Sequence, residues 1–194
     1  MYKNSILTLF RSGQSVFRTS DLAMLWNIQD KDYLKNKIYR LVKSGKLFRI
    51  RPGLFCCNKD YDPFLVANKL VFPSYVSLQT ILAQAGAIFQ YSSSIYSIAR
   101  LSIEKKVQST RFVYRKIRDE ILFQKRGILI RENASMATKE RAYLDWLYLN
   151  PSLMLDNPQV LDKQVCFDLV SIYQNTALER RLQKCFKEKN TKKK

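Results

Sequence analysis

Histidine is absent from this 194-residue chain. That single absence removes Ser-His and Cys-His nucleophile pairs and histidine-ligated zinc together. Glycine is scarce at 5 residues, and none of them forms a glycine-rich loop that could cradle a phosphate. The four cysteines, Cys56, Cys57, Cys166 and Cys185, match no zinc spacing, and they are expected to be reduced core thiols. No apolar run approaches the roughly 20 residues of a membrane span. The stretch from Met1 to Phe10 has no secretory apolar core before Arg11 interrupts it. A cytoplasmic protein without a membrane partner is therefore expected. No hydrolytic or transfer chemistry, no metal and no cofactor is expected either. Acidic residues are the other shortage, with 16 Asp and Glu against 34 Lys and Arg. The resulting charge of +18 by itself points to a polyanion partner or a membrane surface. Residues 1–60 hold 12 basic and 4 acidic side chains, and residues 61–194 hold 22 and 12. Both parts are thus basic.

What the chain does have is an ordered set of signals from Val16 to Cys57. Thr19 or Ser20 offers an N-cap oxygen to a short helix carrying Leu22, Ala23, Leu25 and Trp26. Asn27–Asp30 fits a turn, with Asp30 capping the next helix. From Lys31 to Ser44, the residues Leu34, Ile38, Leu41 and Val42 form one apolar stripe. Gly45 stands where a helix end favours a left-handed residue. Leu47, Phe48 and Ile50 then lead through Pro52-Gly53 into Leu54–Cys57, a β-hairpin pattern. Ile6, Leu7 and Phe10 suggest the inward face of a preceding helix, and Val16-Phe17 a short strand beside the hairpin. Helix, turn, helix and hairpin in that order predict a winged helix-turn-helix.

The second helix also has an outer side. Stepping about 100° per residue from its apolar stripe puts Asp32, Asn36, Arg40 and Lys43 outermost. Lys31, Tyr33, Lys35, Lys37 and Tyr39 flank them, and Lys46, Arg49 and Arg51 accompany the hairpin. Asn, Arg, Lys and Tyr in this arrangement suit base edges and phosphates of duplex DNA. All of these except Asp32 are taken as candidate DNA contacts. A solvated amphipathic helix is the plainer reading of the same residues.

After Cys57 the polar run Asn58–Pro63 marks a domain boundary. The domains expected are 1–58, a DNA-binding module; 62–189, a second α+β domain ending in helices; and 190–194, a disordered basic tail. Phe64–Leu70 reads as a helix that Pro73 breaks, and Ser74–Gly86 as a capped helix with Ser74 or Ser77 near its start. Ile95–Leu101, Arg111–Ile117 and Gly127–Arg131 read as antiparallel strands. Ala137–Leu149 returns to helical spacing, and two helices follow between Phe167 and Lys187, the second capped by Asn175. The expected fold class is α+β. Asp60 and Asp62 form a D-x-D pair that reads as a turn former. Glu104-Lys105-Lys106, with Asp62 upstream, is the one spacing that could suggest a metal-dependent nuclease.

Several stretches together resemble one family. Leu41-Val-Lys-Ser-Gly45-Lys-Leu followed by Arg49-Ile-Arg-Pro-Gly53-Leu-Phe is similar to the wing of abortive-infection AbiE-type antitoxins. Asp21-Leu-Ala, Asp62-Pro63, Pro73-Ser-Tyr-Val-Ser77-Leu and Lys139-Glu-Arg-Ala-Tyr-Leu-Asp145 resemble further stretches of that family, in the same order. The resemblance implies a type IV toxin–antitoxin regulator with two activities. One is repression of its own operon at an operator, expected to contain inverted repeats, through the winged helix. The other is neutralisation of a nucleotidyltransferase-like toxin by the second domain, an antagonism that need not involve stable contact. Ser77, Glu140 and Asp145 are read as capping or core residues, with the two acids paired locally to Arg141 and its neighbours. The rival to the antitoxin reading is a stand-alone repressor whose second domain dimerises or senses a ligand.

Overall fold

The computed structural model describes residues 2–90 and 92–187, so the expected tail at 190–194 lies outside the described residues. The chain divides into two compact units, residues 1–72 and 73–194. The division falls at Phe72/Pro73 and not at the polar run Asn58–Pro63.

The first unit runs α1 (Tyr2–Arg11), β1 (Val16–Arg18), α2 (Thr19–Leu25), α3 (Lys31–Lys43), β2 (Phe48–Arg51), β3 (Leu54–Cys56) and α4 (Pro63–Leu70). Its sheet is antiparallel in the order β1-β3-β2. Leu9, Phe17, Leu22, Leu34, Ile38, Leu41, Leu47 and Phe55 fill the core. Two local expectations change. In α1 the inward residues are Ser5, Ile6 and Leu9, while Leu7 and Phe10 are exposed. Both sets have helical spacing and share Ile6, so periodicity alone could not choose between them. The Ser5 carbonyl accepts the Trp26 indole N–H at 3.0 Å, and Leu9 enters the core, which fixes the rotation. In α2 neither Thr19 nor Ser20 is the cap. Both are helical, and the Asp21 carboxylate reaches back to the Arg18 backbone N–H at 3.0 Å.

Asp21 also explains why α4 belongs to this unit. Its carboxylate accepts from the Lys69 ammonium at 2.8 Å and from the Arg18 guanidinium at 3.0 Å, and Lys69 donates as well to Gln14 Oε1. Burial pushes the Asp21 carboxyl upward, but the bonds from Lys69 and Arg18 outweigh it and hold the group below its ordinary range. Asp62 caps α4 by accepting the Phe64 N–H at 2.8 Å, with Pro63 at the first helical position. The Asn58–Pro63 run is thus a connection to a helix of the first unit.

The second unit contains β4 (Ser74–Val76), α5 (Leu78–Gln84), β5 (Ile95–Ala99), β6 (Ile103–Val107), β7 (Thr110–Lys116), α6 (Asp119–Leu122), β8 (Ile128–Arg131), β9 (Ala134–Ala137), α7 (Lys139–Leu149), α8 (Lys163–Val170) and α9 (Thr176–Lys187). The sheet order is β6-β7-β5-β4-β9-β8. It is mixed and not purely antiparallel, because β5 pairs with β7, and β4 with β9, in parallel. Two strands escaped the pattern. β6 is charged and mostly exposed because it lies at the sheet edge. β9 is Ala-Ser-Met-Ala, poor in β-formers, and closes on β8 through Glu132-Asn133, both at positive φ as a two-residue hairpin turn requires. Of the two starts open for the next helix, Ser74 and Ser77, the second holds: Ser74–Val76 is a strand between β5 and β9, and α5 begins after Ser77. Asn175 does cap α9, accepting from the Leu178 N–H at 2.9 Å.

At the centre of this unit α7 buries an arginine completely. All five N–H groups of Arg141 are used. Nε donates to Asp145 Oδ1 at 3.1 Å, and the two Nη atoms donate to Tyr75 Oη and the carbonyls of Ile121, Gln124 and Arg126. Asp145 in turn accepts from Tyr173 Oη at 2.6 Å, Ser77 Oγ at 2.8 Å and Tyr75 Oη at 3.2 Å. Burial opposes the guanidinium charge, yet Asp145 beside it more than compensates and favours the charged form. Burial, and then Asp145, pushes the Tyr75 and Tyr173 hydroxyls well above their ordinary range. Ser77 precedes α5 as expected, but its hydroxyl serves Asp145 and does not cap the helix. The Asp145–Arg141 pair matches the local pairing expected. Glu140 pairs with its neighbour Lys139 at 3.8 Å, again as expected, and also accepts the Asp162 N–H at 3.1 Å.

Candidate nucleic-acid interface

The sequence of α3 divides it cleanly. Leu34, Ile38 and Leu41 are buried, and Asp30 caps the helix by accepting the Tyr33 N–H at 2.8 Å. At the other end Gly45 adopts φ +68°. With the apolar stripe fixed inward, Asp32, Asn36, Arg40 and Lys43 are all exposed along the outer line. The two flanks are not equivalent. Lys31, Lys35 and Tyr39 border a trough between α3 and the hairpin, and Tyr33 and Lys37 lie on the opposite side. Tyr33 and Tyr39 remain more than half exposed. Lys37 is half-buried, with its ammonium 4.6 Å from the Trp26 ring, which fixes that cation beside the end of α2.

The hairpin separates its two arginines. Arg49 pairs with Phe55 and Arg51 with Leu54, which leaves Ile50 as a bulge. Phe55 and Leu54 are successive residues of one strand, so the arginines opposite them project to different sides of the sheet. Arg49 is exposed on the trough side, with its guanidinium 5.8 Å from the Phe55 ring. Arg51 is half-buried, and Lys46 is exposed before the strand. The hairpin turn is tied to α2 by the Thr19 N–H, which donates to the Gly53 carbonyl at 3.1 Å.

The trough has a volume of about 790 Å³ and a floor of Ala23, Ile28, Leu34, Ile38 and Phe55. An apolar floor offers nothing to a phosphate, so any anion is met at the rim, by Lys31, Lys35 and Arg49. Ser20, also at the rim and exposed, is a residue the sequence reading used only as a cap. Its position follows from the Asp21 capping interaction, which no propensity rule gives. Lys31, Lys35, Tyr39, Asn36 and Arg49 therefore come together around one depression. Arg40 and Lys43 extend the outer line, and Tyr33, Lys37 and Arg51 stand apart from it.

The other candidates resolve into local partners. Asp62 is a helix cap, and Glu104 pairs with Arg111 at 2.7 Å. Among the described residues no group of three or more metal-ligating side chains assembles. The cysteines are free thiols, and burial pushes Cys56 up to about 11 and Cys166 up to about 12. Among the described residues no helix is long and apolar enough to cross a membrane.

No curated protein matches the chain. Residues 4–57, the stretch that builds α1, α2, α3 and the hairpin, do match the family described as transcriptional regulator, AbiEi antitoxin, and over that stretch this chain is similar to those regulators.

Proposed function

We propose that residues 1–58 are a winged helix-turn-helix that reads duplex DNA, and that the chain is an antitoxin which also represses its own operon. The observation that supports this most is the outer line of α3, exposed along its length while Leu34, Ile38 and Leu41 anchor the opposite side. Asn36 and Arg40 are the base readers in this proposal, since amide and guanidinium groups form paired hydrogen bonds with adenine and guanine edges. Lys31, Lys35, Lys43, Lys46 and Arg49 are assigned to phosphates, as are Tyr33, Tyr39, Lys37 and Arg51 at the margins. The second unit is proposed to neutralise a nucleotidyltransferase-like toxin, a role that rests on the similarity of residues 4–57 to the AbiEi regulators.

The test is a promoter–reporter fusion run beside co-expression of a nucleotidyltransferase-like toxin from the same operon. Asn36→Ala should weaken operator binding by about 1–3 kcal/mol and spare random DNA. Arg49→Ala should weaken all DNA alike and flatten the salt dependence. The double variant Asn36→Ala/Arg40→Ala should lose repression while cells stay protected. Loss of protection at normal protein levels would show that the second unit is an accessory to a repressor, and that the antitoxin reading is wrong.

A further inference from the structure

The second unit carries a cavity that the DNA-reading proposal does not use. Tyr96 pairs with Val113, and Val113 with Glu104, so β5, β7 and β6 set these three side chains in a row on one face of the sheet. Arg111 and Arg115 stand on the same face of β7, on either side of Val113 and each roughly 7 Å from it along the strand. The first turn of α5 and the last turn of α7 overhang this face with Gln79, Trp146 and Asn150. The cleft so formed, open to solvent on one side, is about 550 Å³, well within the size of small-molecule sites, and its lining is mostly polar.

Each part of the lining asks for a different chemical group. Arg111 is already held by Glu104 at 2.7 Å, whereas Arg115 has no ion-pair partner among the described residues. A guanidinium without a counter-ion can fork two N–H bonds onto a phosphate. Gln79 Oε1 is buried with no hydrogen-bond partner, an acceptor in need of an N–H donor. Tyr96 and Trp146 are the aromatic residues of the lining, and a planar base is the group that aromatic rings recognise by stacking. Glu104 keeps acceptor capacity after bonding Arg111, enough to take a pair of hydroxyl donors.

The lining includes a strained point. Leu78, which is buried, has φ +57°, a conformation that a bulky residue rarely adopts. It stays there because its neighbours are pinned. The Ser77 hydroxyl donates to buried Asp145, the Ser77 N–H donates to the Tyr96 carbonyl at 3.0 Å, and the Tyr96 N–H donates to Thr80 Oγ1 at 2.7 Å. The network around Arg141 therefore sets the spacing between Tyr96 on the sheet and Gln79 on α5. Backbone strain maintained in this way gathers at ligand sites.

We propose that this cavity binds a ribonucleotide, with the phosphate at Arg115, the base between Tyr96 and Trp146 with an exocyclic amine on Gln79, and the ribose hydroxyls on Glu104. The nucleotide is either free or a unit of single-stranded RNA.

The test is calorimetric titration of the full chain with the four ribonucleoside diphosphates, their 2′-deoxy forms, inorganic pyrophosphate and a mixed-sequence RNA hexamer. At least one diphosphate or the hexamer should bind, and whichever binds identifies the source of the nucleotide. Arg115→Ala should weaken that binding roughly tenfold or more, and Arg115→Lys should restore part of it. Thermal stability should not change, because the side chain is exposed and unpaired. Pyrophosphate should bind at least tenfold more weakly than the diphosphate, and Glu104→Gln should reduce the preference for ribose over deoxyribose. Four results would overturn the assignment: no binding below millimolar by any of these ligands, equal binding to Arg115→Ala, pyrophosphate binding as tight as the diphosphate, or indifference to the 2′-hydroxyl.

Discussion

The two units carry similar excess charge and place it differently. In the first, most of the described basic side chains are exposed around an apolar core, and the partly buried Arg18 and Lys69 pair with buried Asp21. In the second, a whole guanidinium sits at the centre of the core, with Asp145 as its counter-ion and three backbone carbonyls as further acceptors. A cation on a surface is available to a polyanion. A cation in a core is spent on architecture, since a buried charge persists only when fully paired and hydrogen-bonded. Net charge therefore says little about how much of a domain can meet nucleic acid, and the position of each charge decides it.

The largest expected effect breaks this comparison at the buried arginine. Arg141→Met leaves Asp145 charged and buried without its counter-ion, and should destabilise the second unit by about 3–5 kcal/mol. Denaturant unfolding followed at the Trp146 environment would measure it. Adding Asp145→Leu should recover much of the loss, because two apolar side chains leave no orphaned charge. A double variant no more stable than the single one would mean that the carbonyls of Ile121, Gln124 and Arg126 need the guanidinium more than Asp145 does.

Asp21→Ala makes the matching break in the first unit, leaving Lys69 largely buried without its carboxylate. The expected loss is about 3 kcal/mol, at the lower end because Lys69 keeps its bond to Gln14. This effect depends on pH. The folded-state pKa lies below the ordinary value, so the stabilisation is complete above about pH 4 and falls away as the pH drops through the folded value. Thermal midpoints of the wild type and Asp21→Ala should thus converge as the pH falls below about 4, and a gap that does not narrow at all on acidification would contradict the assignment.

A smaller effect is expected at Gly127. An added Cβ would lie 2.9 Å from Arg141 Cβ and 3.2 Å from Leu169 Cδ1, at a φ of +74°. Gly127→Ala should cost about 1–3 kcal/mol, read from the same denaturant midpoint, and should not add to Arg141→Met, since the two share a contact. The smallest is at the α3 cap, where Asp30→Ala should remove about 1 kcal/mol of stability, visible as a lowered thermal midpoint, without altering any side chain of the outer line.

Much of the first unit was legible because its instructions are local. Asp30 as cap, Leu34, Ile38 and Leu41 as stripe, Gly45 as stop and Pro52-Gly53 as turn each act within one helical turn or one hairpin. Where the reading failed, two solutions were locally equal, as in α1, where only the Trp26 bond to Ser5 distinguished the faces. The second unit was less legible because its decisive contacts are distant in sequence. Ser77 meets Asp145 across 68 residues, and no propensity rule turns a Ser at a helix start into a partner of a buried carboxylate.

By itself the sequence determined the elements of residues 16–57, the outward face of α3, the basic character of both halves and the lack of histidine chemistry. Periodicity, caps and composition are properties of neighbouring residues and need no fold to act. Only the tertiary structure decided that α4 joins the first unit, that Arg49 and Arg51 project to opposite sides of the hairpin, and that Arg141 is a core residue. It also placed Arg111, Arg115, Tyr96, Gln79 and Trp146 around one cavity. Those outcomes depend on strand register, on a bulge and on burial, which are set when segments far apart in the chain pack together.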